Sequence, residues 1–216
     1  MLTPATAAEF NGVNAVSDHM AFIGLGALGS QLFMNLWRSG FGRWILIDRD
    51  LHLPHNDARH AMVNGVGEFK AGAMSNLAAA IFPEHKPAHI VADVVTPRDL
   101  ARAVESAISE SVAVIDCTAS VAVGRHLARA YEGPRRVSVF LNPSATDLVL
   151  LAESRDRSIR LDQLEMMYYR ALLEDKRLEG HLLRGDAPVR YSNACRDLST
   201  VFRKITLRCM QALAVG

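Results

Sequence analysis

Short apolar runs alternate with amphipathic segments along most of this chain. The runs predict buried β-strands at residues 20–24, 44–47, 89–94, 112–116, 136–141 and 148–152. Apolar residues at helical spacing predict helices at residues 30–38, 70–81, 97–109, 122–131, 161–183 and 198–215. Most of the strands are apolar on both faces, so each face of the sheet needs a covering layer. The pattern therefore predicts an α/β fold with a mainly parallel sheet and helices on both faces.

The chain is organised as one unit. Residues 1–19 are polar and weakly patterned, which predicts a short lead-in segment, and residues 20–216 form a single predicted domain. The sequence contains no internal repeat and no low-complexity tract. It ends in Gln-Ala-Leu-Ala-Val-Gly, within or just after the last predicted helix, an ending compatible with a fragment of a longer protein.

Composition and charge narrow the function classes. Half of the 216 residues are hydrophobic and 22% are charged, as in globular proteins that bury a core. The net charge of +1 provides no field toward nucleic acid or an anionic membrane, so neither is an expected partner. The sequence has no apolar run of about 18 residues, no secretory signal and no CxxC pair among its three cysteines. These features predict a cytoplasmic protein without disulfides or a cysteine-built zinc site.

A glycine-rich turn lies between the first predicted strand and the helix after it. Gly24, Gly26 and Gly29 have the Gly-x-Gly-x-x-Gly spacing. The first glycine permits a tight turn, the second lets phosphate oxygens approach the backbone, and the third lets helix and sheet pack closely. Asp48 ends the next strand, where a carboxylate can accept hydrogen bonds from ribose hydroxyls. These residues predict a nucleotide site, but they fit NAD as well as ATP.

Polar residues further along the chain distinguish between NAD and ATP as the expected ligand. Asn56 and Arg59 lie in a polar predicted loop, and Lys70 starts the next helix. A dehydrogenase needs no such set, whereas an enzyme that transfers AMP must stabilise negative charge on the departing pyrophosphate. Taken singly, each residue is typical of a solvated surface. Together they favour a site for a triphosphate.

Taken in order, these motifs resemble the ThiF/MoeB family, the bacterial relatives of ubiquitin-activating enzymes. The resemblance covers roughly residues 20–145 and rests on Gly24-Leu-Gly-Ala-Leu-Gly-Ser, Leu46-Ile-Asp-Arg-Asp, Asn56-Asp-Ala-Arg-His and Val66-Gly-Glu-Phe-Lys. It implies a Rossmann-like α/β domain, a homodimer, and ATP with Mg²⁺ as cofactors. It also implies a reaction, the adenylation of the C-terminal glycine of a ubiquitin-like or sulfur-carrier protein.

The resemblance implies roles for individual residues. Asp48 would hold the ribose, and Asp50 would support the loop or the site. Asn56, Arg59 and Lys70 would bind the phosphates. Arg59 and Lys70 would also act in catalysis, because they face the charge that builds on pyrophosphate.

The chain departs from the family pattern at three points. The family usually has Asp-Cys-Thr-Asp-Asn where this chain has Asp116-Cys-Thr-Ala-Ser, and the second aspartate of that motif organises Mg²⁺. Ala119 supplies no oxygen for a hard cation. Asp116 or another acid then takes this role, the phosphates hold the metal largely alone, or the protein binds nucleotide without turning it over. The family arginine before the glycine turn is also missing, since no arginine precedes Arg38, and so are the paired zinc-binding CxxC motifs.

One cysteine has a position suited to covalent chemistry. Cys195 precedes Arg196 in a polar segment just before the last predicted helix. A helix N-terminus and an arginine both favour the nucleophilic thiolate. By resemblance to ThiF-like enzymes, Cys195 would attack the adenylate to form a thioester, and a conjugating enzyme would be a second partner. The alternative is a surface thiol, whereas Cys117 and Cys209 are predicted to pack in the core.

Two further functions stay open. An inert nucleotide-binding scaffold, folded like the family, would follow if Ala119 removes an essential metal ligand. An NAD-dependent oxidoreductase would account for the glycine turn and Asp48, but it leaves Asn56, Arg59 and Lys70 unexplained.

Two groups of polar residues are predicted to be solvated. His52, His55 and His60 match no standard metal-ligand spacing, so a solvated loop lining the nucleotide cleft is the favoured interpretation. Arg135 and Arg136 are predicted to form a solvated pair in a turn.

Overall fold

A six-stranded, mainly parallel sheet forms the centre of the fold. The computed structural model describes residues 2–183 and the backbone of residues 189–190 and 198–199. The strands of the sheet are β1 (Val16–Ile23), β2 (Phe41–Ile47), β3 (Ala88–Ile90), β4 (Ala113–Asp116), β5 (Arg135–Leu141) and β6 (Leu148–Ala152). Their spatial order is β3-β2-β1-β4-β5-β6, with β6 alone antiparallel to its neighbour. A separate antiparallel pair consists of β7 (Val189–Arg190) and β8 (Leu198–Ser199).

Helices cover both faces of this sheet. In the described part of the chain they are α1 (Pro4–Phe10), α2 (Ala27–Arg38), α3 (Lys70–Ala79), α4 (Ala101–Ser109), α5 (Val121–Ala130) and α6 (Leu161–Glu174). None of these helices has the length and hydropathy needed to span a membrane. The predicted α/β fold, with a mainly parallel sheet and helices on both faces, is confirmed.

The central strand β1 divides the core into two layers. Met20 and Phe22 pack with α2 and α3 on one face of the sheet. Ala21 and Ile23 pack with α4 and α5 on the other face. Successive residues of a strand point to opposite faces, so a strand that is apolar throughout must be covered twice. A third cluster joins α6 to β6 and α5 at the edge of the sheet.

The chain ends differ in part from the sequence-based expectation. The predicted lead-in, residues 1–19, contains α1, which starts with the Thr3 hydroxyl accepting a hydrogen bond from the Thr6 backbone N–H. The long helix or helix pair predicted over residues 161–183 is observed as α6, which ends at Glu174, followed by a separate 3₁₀ turn at Lys176–Leu178. The helix predicted over residues 198–215 starts where the backbone forms β8, because a short apolar run does not distinguish a helix from a strand. The rest of that predicted helix, with Cys209, lies outside the described residues, as does Cys195 in the segment before it.

Arg135 and Arg136 are predicted to be solvated, and this prediction is wrong for Arg136, which is buried. The Arg136 side chain has no exposed surface and donates to the Tyr131 carbonyl at 2.6 Å. Glu153, also fully buried, accepts from the Arg136 backbone N–H at 2.9 Å and from Arg157 Nε at 2.7 Å. Burial, together with the charge of Arg157, lowers the pKa of Arg136 to about 10. The guanidinium of Arg136 meets the Tyr131 carbonyl five residues before it, and the Glu153 carboxylate that holds its backbone lies 17 residues after it, so the adjacent arginines alone do not show this burial.

Candidate functional site

Three strand ends meet at one edge of the sheet. The register pairs Ile23 at the end of β1 with Ile47 of β2 on one side and Asp116 of β4 on the other. The strand order reverses here, and such switch points are where open α/β sheets bind ligands. The edge opens into a cleft of about 580 Å³. The sequence-predicted residues that line this cleft are Gly24, Gly26, Asp48, Asp50 and Lys70.

The glycine turn leaves β1 and starts α2, and each glycine has a different surrounding. Gly24 has a φ of +88°, and a Cβ atom there would lie 2.8 Å from the Thr118 backbone nitrogen. A Cβ atom at Gly29 would lie 2.0 Å from the Gly24 carbonyl oxygen. A Cβ atom at Gly26 would meet nothing within 4 Å. Protein packing therefore requires the first and third glycines, while the second leaves its backbone open to the cleft.

Asp48 fastens the glycine turn. One of its carboxylate oxygens accepts from the Leu25 backbone N–H at 2.6 Å, and the other accepts from the Asp50 backbone N–H at 2.7 Å. Burial raises the pKa of the Asp48 carboxyl, and the two backbone hydrogen bonds oppose that shift. Asp48 also lines the cleft, so its predicted contact to a ribose stays a prediction alongside this observed structural role.

Lys70 brings a buried positive charge to the cleft. Its side chain is 9% exposed, and its Nζ lies 3.8 Å from Asp50 Oδ2. The Lys70 backbone N–H donates to the Asp50 carbonyl at 2.9 Å, and Leu51 pairs with Phe69 in an isolated bridge. These contacts hold the start of α3 against the segment after β2. A buried ammonium with a long ion pair is available to a ligand's negative charge.

Asn56 and Arg59 do not line the cleft. Asn56 Oδ1 accepts from the Leu53 backbone N–H at 2.8 Å and so shapes its own short 3₁₀ turn. The Arg59 carbonyl accepts from the Gln31 side chain of α2 at 3.4 Å, and Arg59 has a further interaction partner. The predicted phosphate contacts of Asn56 and Arg59 stay predictions.

Two of the three clustered histidines are buried, so the predicted solvated loop is wrong at His52 and His60. His60 Nε2 lies 2.7 Å from the Leu25 carbonyl oxygen, and its Nδ1 accepts from the Met62 backbone N–H at 3.1 Å. Only the neutral ring with the proton on Nε2 satisfies both contacts. Burial lowers the pKa of His60 to about 4.

His52 supports His60 from behind. It has no exposed surface, its Nε2 lies 2.6 Å from Asp57 Oδ1, and its ring meets the His60 ring edge-on at 4.8 Å between centroids. Both backbone polar groups of Leu25 are consequently held: Asp48 accepts from its N–H, and His60 contacts its carbonyl oxygen. The sequence did not predict this role, because nothing local to the histidines indicates a contact with Leu25, which lies 35 residues away.

Asp116 ends β4 and organises the segment after it. One carboxylate oxygen accepts from the Thr118 backbone N–H at 2.9 Å and from the Thr118 hydroxyl at 2.7 Å. The other accepts from the Ser138 hydroxyl at 3.2 Å, and burial raises the pKa of the carboxyl. Ala119 follows with a φ of +54°. Both carboxylate oxygens of Asp116 therefore accept hydrogen bonds within the protein. The predicted contact of Asp116 with a metal ion stays a prediction.

Sequence reasoning also missed an ion pair between Arg49 and Asp93 at the cleft wall. Asp93 follows β3 and accepts from the Val95 backbone N–H at 2.8 Å. This hydrogen bond, with that of Thr96 and the Arg49 charge, lowers the pKa of Asp93 against the opposing effect of its desolvation. The sequence did offer one signal for this ion pair, since Arg49 directly follows Asp48 at the end of β2.

Cys117 is confirmed as a packing residue. It lies in the main hydrophobic cluster and is 9% exposed. Burial, with a smaller contribution from Asp116, raises the pKa of its thiol to about 12. A thiol with such a pKa carries little thiolate near neutral pH, which fits a packing role for Cys117.

The described residues fit a nucleotide better than they fit a protein-held metal. An open backbone at Gly26, the start of a twelve-residue helix and the Lys70 charge are the features that anionic phosphates require. In contrast, residues 2–183 contain no group of three His, Cys, Asp or Glu side chains able to hold a metal ion. Mg²⁺ would here depend on ligands from the nucleotide itself.

The fold and the cleft define a doubly wound α/β domain with an open cleft at its switch point. The chain belongs to the ThiF family, whose model matches residues 12–132, more than half of the sequence. No curated protein matches the sequence.

Solved structures of similar fold come from E. coli. MccB with ATP is 18% identical, over 63% of this chain and 41% of that chain, with a TM-score of 0.49. MccB with AMPCPP and MccA is 19% identical, over 58% and 38%, with a TM-score of 0.48. The tRNA N6-threonylcarbamoyladenosine dehydratase TcdA with AMP is 23% identical, over 64% and 54%, with a TM-score of 0.46. This chain therefore spans only about two fifths to one half of the length of these proteins.

Proposed function

We propose that this chain is the adenylating domain of an ATP-dependent activating enzyme. One observation carries the proposal: the buried ammonium of Lys70 lines the same cleft as the open backbone of Gly26. Membership of the ThiF family supports the same conclusion. In this proposal the cleft binds ATP, and a carboxylate substrate attacks the α-phosphate.

The residues of the cleft would divide the work as follows. The Gly26 backbone and the start of α2 receive phosphate oxygens, and Asp48 accepts from the ribose. The carboxylate forms an oxygen–phosphorus bond to the α-phosphate, and the bond to the β-phosphate breaks with its electron pair leaving on pyrophosphate. Lys70 stabilises that developing charge, which is the main service a protein gives in such transfers.

The finer parts of the proposal follow the family. The substrate is the C-terminal carboxylate of a ubiquitin-like or sulfur-carrier protein, and Cys195 takes the acyl group as a thioester before a conjugating enzyme receives it. Asn56 and Arg59 reach the phosphates when the nucleotide is bound. The protein acts as a homodimer in the cytoplasm. Mg²⁺, when bound to ATP, neutralises phosphate charge, but the described residues offer it no three-ligand site.

Nucleotide titration of paired lysine variants tests the proposal. Lys70→Ala removes the cleft charge, whereas Lys86→Ala removes an exposed lysine outside the cleft. We expect Lys70→Ala to lose the preference for ATP over AMP, measured by calorimetry, while Lys86→Ala keeps it. A ligand at 100 times its dissociation constant stabilises the fold by about 2.7 kcal/mol, so thermal unfolding reports the same binding. An unchanged ATP preference in Lys70→Ala contradicts the assignment.

Exchange of labelled pyrophosphate into ATP tests the chemical step. The wild-type protein is assayed with a panel of ubiquitin-like and sulfur-carrier proteins that end in a free C-terminal carboxylate. We expect exchange with at least one, and a loss of about 10²–10³-fold in Lys70→Ala, the effect of removing one group that stabilises transition-state charge.

A second candidate function is an inert nucleotide-binding scaffold. Ala119 at the family's metal position and the lack of a three-ligand group within residues 2–183 favour it. Stabilisation by ATP regardless of Mg²⁺, without exchange on any carrier, supports this candidate. An NAD-dependent oxidoreductase stays open on the glycine turn and Asp48 alone, and stabilisation by NAD but not by ATP would favour it.

A further inference from the structure

A second, smaller cavity adjoins the nucleotide cleft. The two share Ser120, which follows β4 and caps α5. Thr118 faces the cleft, whereas Ala119, one residue later, lines the cavity. A group bound in the cavity would therefore lie next to whatever the cleft places at the end of β4.

The cavity wall is apolar. Phe140 of β5, Leu151 of β6 and Leu161 at the start of α6 contribute to it. Its one acidic residue, Glu165, is already bound by Arg125 through two hydrogen bonds of 2.8 and 3.0 Å. Such a wall accepts an uncharged apolar group and rejects a charged one, because a buried charge needs a partner.

Two tyrosine rings complete the wall. Tyr168, which is 6% exposed, and Tyr169 both line the cavity. The Ser138 hydroxyl, also in the wall, already donates to Asp116 at 3.2 Å.

The size of the cavity limits the apolar group. Its volume is about 90 Å³. A cavity of roughly 150 Å³ admits benzene, so this one suits a small aliphatic side chain rather than an aromatic ring. A glycine would leave it empty.

We propose that this cavity receives a small aliphatic side chain on the residue whose carboxylate is adenylated. The inference rests on the proposed function, in which the cleft holds the acyl adenylate and the cavity adjoins that cleft at Ser120. It differs from the family expectation in substrate class: the terminal residue is valine-like and not glycine.

Acyl-sulfamoyl adenosines test the inference, because they mimic the acyl adenylate without needing the natural substrate. The probes carry N-acetylglycine, N-acetylvaline or N-acetylphenylalanine, and calorimetry gives their dissociation constants. A missing methylene in an apolar pocket costs about 10–200-fold in discrimination. We expect the valyl probe to bind at least tenfold tighter than the glycyl probe, and the phenylalanyl probe to bind more weakly than the valyl probe.

Filling the cavity should remove this preference. Leu151→Phe adds volume inside the cavity, and Leu150→Phe makes the same change at an exposed neighbouring position. Gly124→Ala is a gentler filling variant, since its Cβ would meet only Asp116 Oδ2, at 3.9 Å. We expect the valyl preference to fall in Leu151→Phe and Gly124→Ala and to persist in Leu150→Phe, while the glycyl probe binds all three alike.

The outcomes separate the two proposals. Equal binding of the glycyl and valyl probes, in a protein that ATP stabilises, overturns the cavity assignment and leaves the adenylating function standing. A valyl preference that survives both filling variants also overturns it. Failure of ATP and of every probe to bind overturns the proposed function, and the cavity assignment with it.

Discussion

His60 should make the stability of this protein sensitive to mild acid. The pKa of its ring is lowered from 6.5 to about 4 in the folded protein, because the ring is buried; its hydrogen bond to the Leu25 carbonyl opposes this shift only in part. Below pH 6.5 the unfolded chain therefore takes up a proton that the folded chain does not. The resulting stabilisation is complete above pH 6.5 and is lost as the pH falls toward 4.

The magnitude follows from these two pKa values. Each unit of difference corresponds to about 1.36 kcal/mol, so full titration costs roughly 3 kcal/mol. At pH 5 the unfolded form is almost fully protonated and the folded form is almost fully neutral. The linkage relation then gives a loss of about 2 kcal/mol between pH 7 and pH 5.

His60→Gln isolates this effect. A glutamine amide can still donate to the Leu25 carbonyl, but it does not titrate. Urea unfolding at pH 7, 6 and 5 gives the free energy of unfolding of each protein. We expect the wild-type protein to lose about 2 kcal/mol more than His60→Gln over this range.

An exposed histidine provides the control. His85→Gln removes a histidine from the surface, and its stability should follow the wild-type curve between pH 7 and pH 5. Asp48 and Asp116, whose pKa values are raised, are present in the wild-type protein and in His60→Gln alike. Their contributions to the pH dependence therefore cancel when these two proteins are compared. Parallel curves for wild type and His60→Gln would refute the assignment of a neutral, buried ring at His60.

Three further predictions use other methods. Gly29→Ala should unfold at a lower temperature than Gly26→Ala, because its Cβ would lie 2.0 Å from a carbonyl oxygen while that of Gly26 meets nothing; equal melting temperatures would contradict this packing. Glu153→Ala should cost about 3–5 kcal/mol in urea unfolding, since it leaves buried arginine charge unpaired; a loss as small as that of exposed Glu179→Ala would contradict the ion pair. Cys117 should resist iodoacetamide at pH 8 until the protein unfolds, as followed by peptide mass spectrometry, because burial raises the pKa of its thiol to about 12; rapid labelling of the folded protein would contradict its burial.

The sequence by itself predicted the architecture and the centre of the candidate site. Both follow from local signals: apolar runs set the strands, helical spacing sets the helices, and the glycine spacing marks the turn after β1. Asp48 could be predicted because it follows a strand, and parallel strands end at a common edge. Lys70 was predicted from the positive charge that a triphosphate site needs and from the family resemblance.

Burial of polar residues could not be predicted in the same way. His60 and Arg136 look solvated in sequence, since polar residues in loops and turns usually are. The Leu25 carbonyl, which contacts His60, lies 35 residues away, and Glu153, which accepts from the Arg136 backbone N–H, lies 17 residues away. Only the folded chain brings these groups together. Local pattern determines which segments become strands and helices, whereas contacts between distant segments decide which polar groups are buried, because a buried polar group is tolerated only where a partner meets it.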